Sequence, residues 1–256
     1  MEKIVDDQGQ LLDKFKPAVY FDSSVLIEYW SAYGLDLTSN RPIDQMLRPM
    51  FWRIVSEISD TDKNLQLLSE IRHRIESGQS KLFCITSPLG ILELIEWFTY
   101  SVIKDTFASF LGVKRVERSL NKEKIRKILR KIEGKAKDEP QNPSEPGMPS
   151  EPMNLLMETL IKPAVARFHE LRGVIIADIR GFAFTENCAW DAAGELARFQ
   201  IGAADILHVL VAHHLGCQYF ASFDSDFRFS RVREILQKDF HLELLGSYQE
   251  LFKAVT

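Results

Sequence analysis

The stretch "VYFDSSVLIEYW", residues 19–30, is apolar until it meets Asp22, then resumes with helical spacing. A β-branched and aromatic run that halts at an acid predicts a buried strand delivering Asp22 to its carboxyl end, followed by a helix. The same figure recurs along the chain. "KLFCIT" predicts a strand and "SPLGILELIEWFTY" the helix after it, with Ser87 as N-cap and Pro88 in the first turn. "GVIIADI" is a further strand candidate. "GAADILHVLVAHHLG" predicts a helix ending at Gly216, and "QYFASF" a strand stopping at Asp224. A helix from about Arg231 to Lys238, the strand "HLELLG" and a last helix opened by a Ser247/Glu250 capping box complete the series.

Two longer segments interrupt this alternation. "RPIDQMLRPMFWRIVSEIS" and "TDKNLQLLSEIRHRIESG" carry helical periodicity; in the second, Leu65, Leu68, Ile71 and Ile75 keep the period, Thr61 can cap and Gly78 lies at the stop. "SLNKEKIRKILRKIEGKAKDEPQNPSEPGMPSEP" is a basic helix with one apolar stripe (Ile125, Ile128, Leu129, Ile132) running into a Pro/Ser/Glu-rich segment from about Asp138 to Pro152. Strands alternating with helices predict an α/β class, a parallel sheet covered by helices on both faces.

Charge adds one asymmetry. The 256-residue chain has a formal net charge of −4, yet Lys114–Lys137 holds eleven Lys or Arg against three Glu. Such a block is either a solvated helix face or a phosphate-binding surface. The three cysteines, Cys84, Cys188 and Cys217, are far apart and form no CxxC pair, so they are expected as reduced core thiols. No apolar run is long enough to cross a membrane, and "MEKIVDDQGQ" lacks a signal-peptide layout, so a cytoplasmic location without membrane attachment is the expectation.

The acids carry the candidate chemistry. Ligands of open parallel sheets bind beyond the carboxyl ends of the strands. Asp22 and Asp224 stand at such ends, Glu93 in the second turn of one helix and Asp205 in the first turn of another. An acid in the apolar "IGAADILHVLVAHH" is either a helix-start Asp or a group that needs a proton, a partner or a metal. Carboxylates converging on one pocket raise each other's pKa values unless a cation lies between them, and oxygen-only donors suit Mg²⁺ or Mn²⁺.

"VYFDSSVLIEYW", "TSPLGILELIEWF" and "GAADILHVLVAHHLGCQYFASFDSDF" together resemble the PIN-domain nucleases, with a weaker likeness in the closing strand and helix. The third passage is the specific one: an Asp, a His three residues on, a small Ala212, the helix-ending Gly and a hydroxyl-x-Asp-x-Asp-Phe ending stand in register. The likeness covers about half the chain. The gaps of 71 residues from Asp22 to Glu93 and 112 from Glu93 to Asp205 exceed those of compact members. A single PIN-like domain over 1–256, with helical insertions at about 36–78 and 105–172, is therefore expected.

The resemblance implies metal-dependent hydrolysis of RNA phosphodiesters. Asp22, Glu93, Asp205 and Asp224 would be the catalytic acids, and Asp22, Asp205, Asp224 and the more variable Asp226 the ligands of Mg²⁺ or Mn²⁺. Lys124, Arg126, Lys127, Arg130 and Lys131 are candidates for guiding RNA. Ser23 and Ser222 could steady the carboxylates or serve as caps. His208 could meet a phosphate or be a satisfied helix histidine, while His213 and His214 would face solvent or a partner. Trp52, Trp97 and Phe110 could stack bases or pack in the core. The enzyme would be a toxin with an antitoxin partner or a stand-alone processing or decay nuclease, and a homodimer is possible. A catalytically silent PIN-like scaffold for RNA or protein is the alternative from another class. A small-molecule phosphohydrolase of the haloacid-dehalogenase kind needs a second Asp where this chain has Ser24.

Overall fold

A computed structural model describes residues 16–34, 62–111, 171–179 and 188–256. Two compact units emerge: one comprises residues 1–38, 51–94 and 170–256, the other 39–50 and 95–169. Of the second unit only the C-terminal part of one helix is described, in which Phe98 is buried and Trp97 half-buried. Trp52, the basic segment with Lys124, Arg126, Lys127, Arg130 and Lys131, the Pro-rich segment and Thr61 lie outside the described residues, as do the side chains of Leu65, Phe110 and Cys188.

The first unit is built on five parallel strands: β1 (Ala18–Phe21), β2 (Phe83–Thr86), β3 (Val174–Ile176), β4 (Tyr219–Ala221) and β5 (Glu243–Leu245), in the order β3-β2-β1-β4-β5. All four residues of β1 are buried, because the central strand of a sheet covered on both faces has no side facing water. Tyr20 pairs in register with Ile85 on one side and Phe220 on the other, and its ring stacks on that of Phe220 at 6.0 Å. The described helices are α1 (Ser23–Gly34), α2 (Asp62–Glu76), α3 (Pro88–Leu111), α4 (Cys188–Arg198), α5 (Ala203–His214), α6 (Ser230–Asp239) and α7 (Tyr248–Val255), with a 3₁₀ turn at Ser225–Arg228. The α/β class expected from the alternation is observed.

The core follows the predicted stripes. Leu68, Ile71 and Ile75 of α2 are buried, and α2 packs against α1 and α7 within the first unit. Helix α5 is closed past its C-cap Leu215 by Gly216, with paired bonds from Gly216 N–H to His213 O (3.0 Å) and Cys217 N–H to Ala212 O (3.1 Å), the closure that turns the chain directly into β4. Helix α4 is an element the sequence reading omits; Ala192, Ala193 and Leu196 bury one face of it. Cys84 and Cys217 are free and buried, and burial pushes both thiols up to about 12, so neither is a thiolate at neutral pH. Among the described residues no helix is long and apolar enough to cross a membrane.

Candidate functional site

The strand order reverses at β1, where α/β sheets leave a crevice between the carboxyl ends of the two strands that diverge from it. Asp22 follows β1 and is buried. Its Oδ1 accepts from Ser24 Oγ–H (2.7 Å) and Val25 N–H (3.1 Å), and its carbonyl accepts from Leu26 N–H, so Asp22 is also the N-cap of α1. Asp224 follows β4, caps the 3₁₀ turn by accepting from Asp226 N–H (2.9 Å), and is half-buried.

Two hydroxyls join these strand ends. Ser24 Oγ donates to Asp22 and accepts from Phe223 N–H at 2.9 Å. Ser222, fully buried, donates to the Asp22 carboxyl while its Oγ accepts from Asp224 N–H at 3.2 Å. Ser23 and Ser222 are the serines for which the sequence leaves two roles open, steadying the carboxylates or capping; Ser222 does the first. At Asp22 the structure gives that role also to Ser24, because one residue farther into α1 the hydroxyl points back over the cap.

Asp205 occupies the third position of α5, whose N-cap is Gly202 with no side-chain capping bond. A Cβ on Gly202 would lie 2.7 Å from Asp205 Oδ2, so the glycine leaves the space into which this carboxylate folds at the helix start. Burial, and then the charges of Asp224, Asp22 and Glu93, push Asp205 up to about 6, against the opposing influence of His208. Burial likewise raises Asp22, while Ser222, Ser24, Val25 N–H and His208 oppose the shift. The four acids predicted from sequence therefore lie in one electrostatic neighbourhood. Asp226 is exposed, and its backbone serves Asp224.

Glu93 reaches the site through the close approach of α3 to β2. A Cβ on Gly90 would stand 2.6 Å from Thr86 Oγ1 and 2.9 Å from Leu26 Cδ1, and Thr86 Oγ1 is itself held by Phe21 O (3.0 Å). Glu93 Oε2 lies 2.8 Å from Nε2 of His208, which is fully buried; His208 Nδ1 lies 2.8 Å from Tyr20 Oη, and Tyr20 Oη 2.7 Å from Ser87 Oγ. A carboxylate only accepts, so with neutral imidazole Nε2–H donates to Glu93, Nδ1 accepts from Tyr20, and Tyr20 accepts from Ser87. His208 is thus the satisfied helix histidine of the two sequence alternatives. Ser87 stands at the start of α3 as expected of its cap, its carbonyl accepting from Ile91 N–H at 3.3 Å, and its hydroxyl is directed to Tyr20. His213 packs inward, its Nδ1 2.8 Å from Phe240 O, whereas His214 is exposed.

Tyr20, Ser24, Ser87 and Gly90 were missed as parts of the site. Tyr20 carried a usable signal: a phenol in an otherwise apolar central strand must find a partner once buried. Among the described residues no three acids, histidines or cysteines stand as a preformed metal cage. The donor set nonetheless fits a divalent cation in its chemistry, since carboxylates raised by burial and by one another are the groups a hard cation relieves. Compared with models of protein families, with curated proteins and with solved structures, the chain matches none.

Proposed function

We propose that the chain is a PIN-type, Mg²⁺- or Mn²⁺-dependent nuclease that hydrolyses phosphodiester bonds in RNA. The observation that carries this reading is the gathering of acids from separate segments. Asp22 and Asp224 follow the carboxyl ends of β1 and β4 at the switch point of a parallel sheet. Asp205 and Glu93, on α5 and α3, share their field, Asp205 being raised by burial and then by the other three. Asp22, Asp205 and Asp224 would hold the cation, with Asp226 as an outer ligand. A bound divalent ion would supply a nucleophilic water near neutral pH and offset phosphate charge. Glu93, fixed by His208, would orient the attacking water; Ser24 and Ser222 would keep Asp22 and Asp224 in register. Lys124, Arg126, Lys127, Arg130 and Lys131 would draw in RNA against the repulsion of the acids.

A catalytically silent scaffold is the second reading, favoured by the engagement of Asp22 Oδ1 in the α1 cap. Incubation of the protein with a mixed RNA pool, with and without Mn²⁺, separates the two when new ends are sequenced. Metal-dependent ends that vanish in Asp22→Asn support the nuclease; an intact pool under both conditions rejects it. A toxin role requires in addition an antitoxin, whose short gene immediately upstream is the discriminating observation against a stand-alone enzyme.

A further inference from the structure

A cavity of about 550 Å³ at the same end of the sheet is lined by Glu28, Phe223, Arg228, Arg233, Ser247 and Tyr248. It adjoins the acids through the chain itself: Phe223 stands between Ser222 and Asp224, and the charge of Asp22 is felt at Glu28, farther along α1. We propose that this cavity receives a nucleotide of single-stranded RNA next to the phosphate to be cut, with Arg228 and Arg233 toward the phosphate and Phe223 and Tyr248 against the base. The proposal rests on the nuclease reading and adds to it a substrate site.

The first argument is charge. An acidic crevice repels a polyanion, so the substrate needs cations beside it, and two arginines line this cavity together with Glu28 and Glu250. Arg228 is exposed and donates to Phe223 O at 3.1 Å, a bond that occupies one of the five donors of a guanidinium. Arg233 is shared with Glu250 at 3.3 Å, and Glu250 is further engaged by Gly246 N–H at 2.7 Å.

The second argument is shape and an orphaned atom. The rings of Phe223 and Tyr248 lie 4.5 Å apart at 35°, forming an aromatic wall of the kind on which bases stack. Tyr248 hydrogen-bonds Glu28, yet Glu28 Oε2 is buried with no partner among the described residues. A buried carboxyl oxygen in that condition calls for a hydrogen-bond partner, and a base edge, with amino donors beside ring-nitrogen and carbonyl acceptors, supplies one whether or not the carboxyl holds its proton. Burial also holds the Glu28 carboxyl up to about 7, which limits its repulsion of a phosphate.

The test is fluorescence polarisation of a short labelled single-stranded RNA with the full chain in EDTA, so that binding is read without cleavage. Arg228→Ala should weaken binding roughly tenfold and lower the slope of log K against log salt by about one. Arg228→Lys should restore the slope, and Asp22→Asn should bind no more weakly than the unaltered chain. Ultraviolet crosslinking of the bound RNA should mark Phe223 or Tyr248. Absence of binding, an unchanged affinity and slope in Arg228→Ala, or crosslinks confined to other segments would overturn the proposal. Arg228-dependent binding by a protein that never cleaves with Mn²⁺ would sink the nuclease reading and leave the nucleotide site standing. Cleavage that disappears in Asp22→Asn alongside indifference to Arg228→Ala would do the reverse.

Discussion

His208 Nε2 stands 2.8 Å from Glu93 Oε2, and the histidine is wholly buried while the glutamate is partly open to solvent. The buried side of this pair ends on Tyr20 and Ser87, so the orientation of an acid at the crevice is set from inside the sheet. Tyr20→Phe keeps the stack on Phe220 but leaves His208 Nδ1 and Ser87 Oγ without the phenol. A loss of about 1–3 kcal/mol of stability is expected. Denaturant titration reads that loss, and on the proposed nuclease kcat should fall while KM holds, because Glu93 loses its fixed orientation and no RNA contact is removed.

Asp22→Asn is expected to abolish metal-dependent cleavage and to leave the fold intact. The amide oxygen can still accept from Ser24 and Val25, so the α1 cap survives, while one member of a mutually repelling set loses its charge. Thermal stability in EDTA should hold or rise. Cleavage at the unaltered rate would remove Asp22 from the catalytic set.

Excess Mg²⁺ or Mn²⁺ should raise the Tm, by the equivalent of about 2.7 kcal/mol at a hundredfold excess over Kd, and EDTA should reverse the shift. The double change Asp205→Asn, Asp224→Asn should erase it. Calorimetry showing no response to either metal or chelator would favour the silent scaffold.

Glu28 gives a pH signature. Burial raises its carboxyl from an ordinary 4.5 to about 7, with Tyr248 and Arg228 opposing the shift and Asp22 adding to it. Between these values the folded chain keeps a proton that the unfolded chain has released, so the contribution to stability is complete below pH 4.5 and is lost as pH rises through 7. Glu28→Gln cannot lose that proton. Its stability relative to the unaltered chain should therefore improve with rising pH by up to about 3 kcal/mol, as read from urea midpoints across pH 5–8. Parallel curves for the two proteins would mean that Glu28 is ionised freely.

Gly90→Ala should destabilise the fold by about 1–3 kcal/mol, since its Cβ would collide with Thr86 Oγ1 and Leu26 Cδ1. Relief of that collision moves α3 away from β2 and takes Glu93 from His208. Thermal melts read the loss, and a Tm equal to that of the unaltered chain would show that the helix shifts without cost.

Local pattern determined the strands, the helices and the placement of the acids. A short, β-branched and aromatic apolar run with no alternation fits a strand covered on both faces, which is why β1, β2 and β4, and the acids that follow β1 and β4, were legible in the sequence. The stripe Leu68, Ile71, Ile75 and the glycine after α5 were legible for the same reason, because periodicity and helix closure act within a few residues. Long-range contacts decided the rest. That Ser24 and not Ser23 bridges to Phe223, and that Ser87, besides leading into α3, turns its hydroxyl to Tyr20, depend on residues separated by 199 and 67 positions. Helix α4 carries a well-marked apolar stripe that was legible and was passed over; Ala192, Ala193 and Leu196 of that stripe are buried, and the helix packs against α5 and α6. The mutual repulsion among Asp22, Glu93, Asp205 and Asp224 is likewise a property of strand order: only a sheet that reverses at β1 gathers acids from four distant segments into one field.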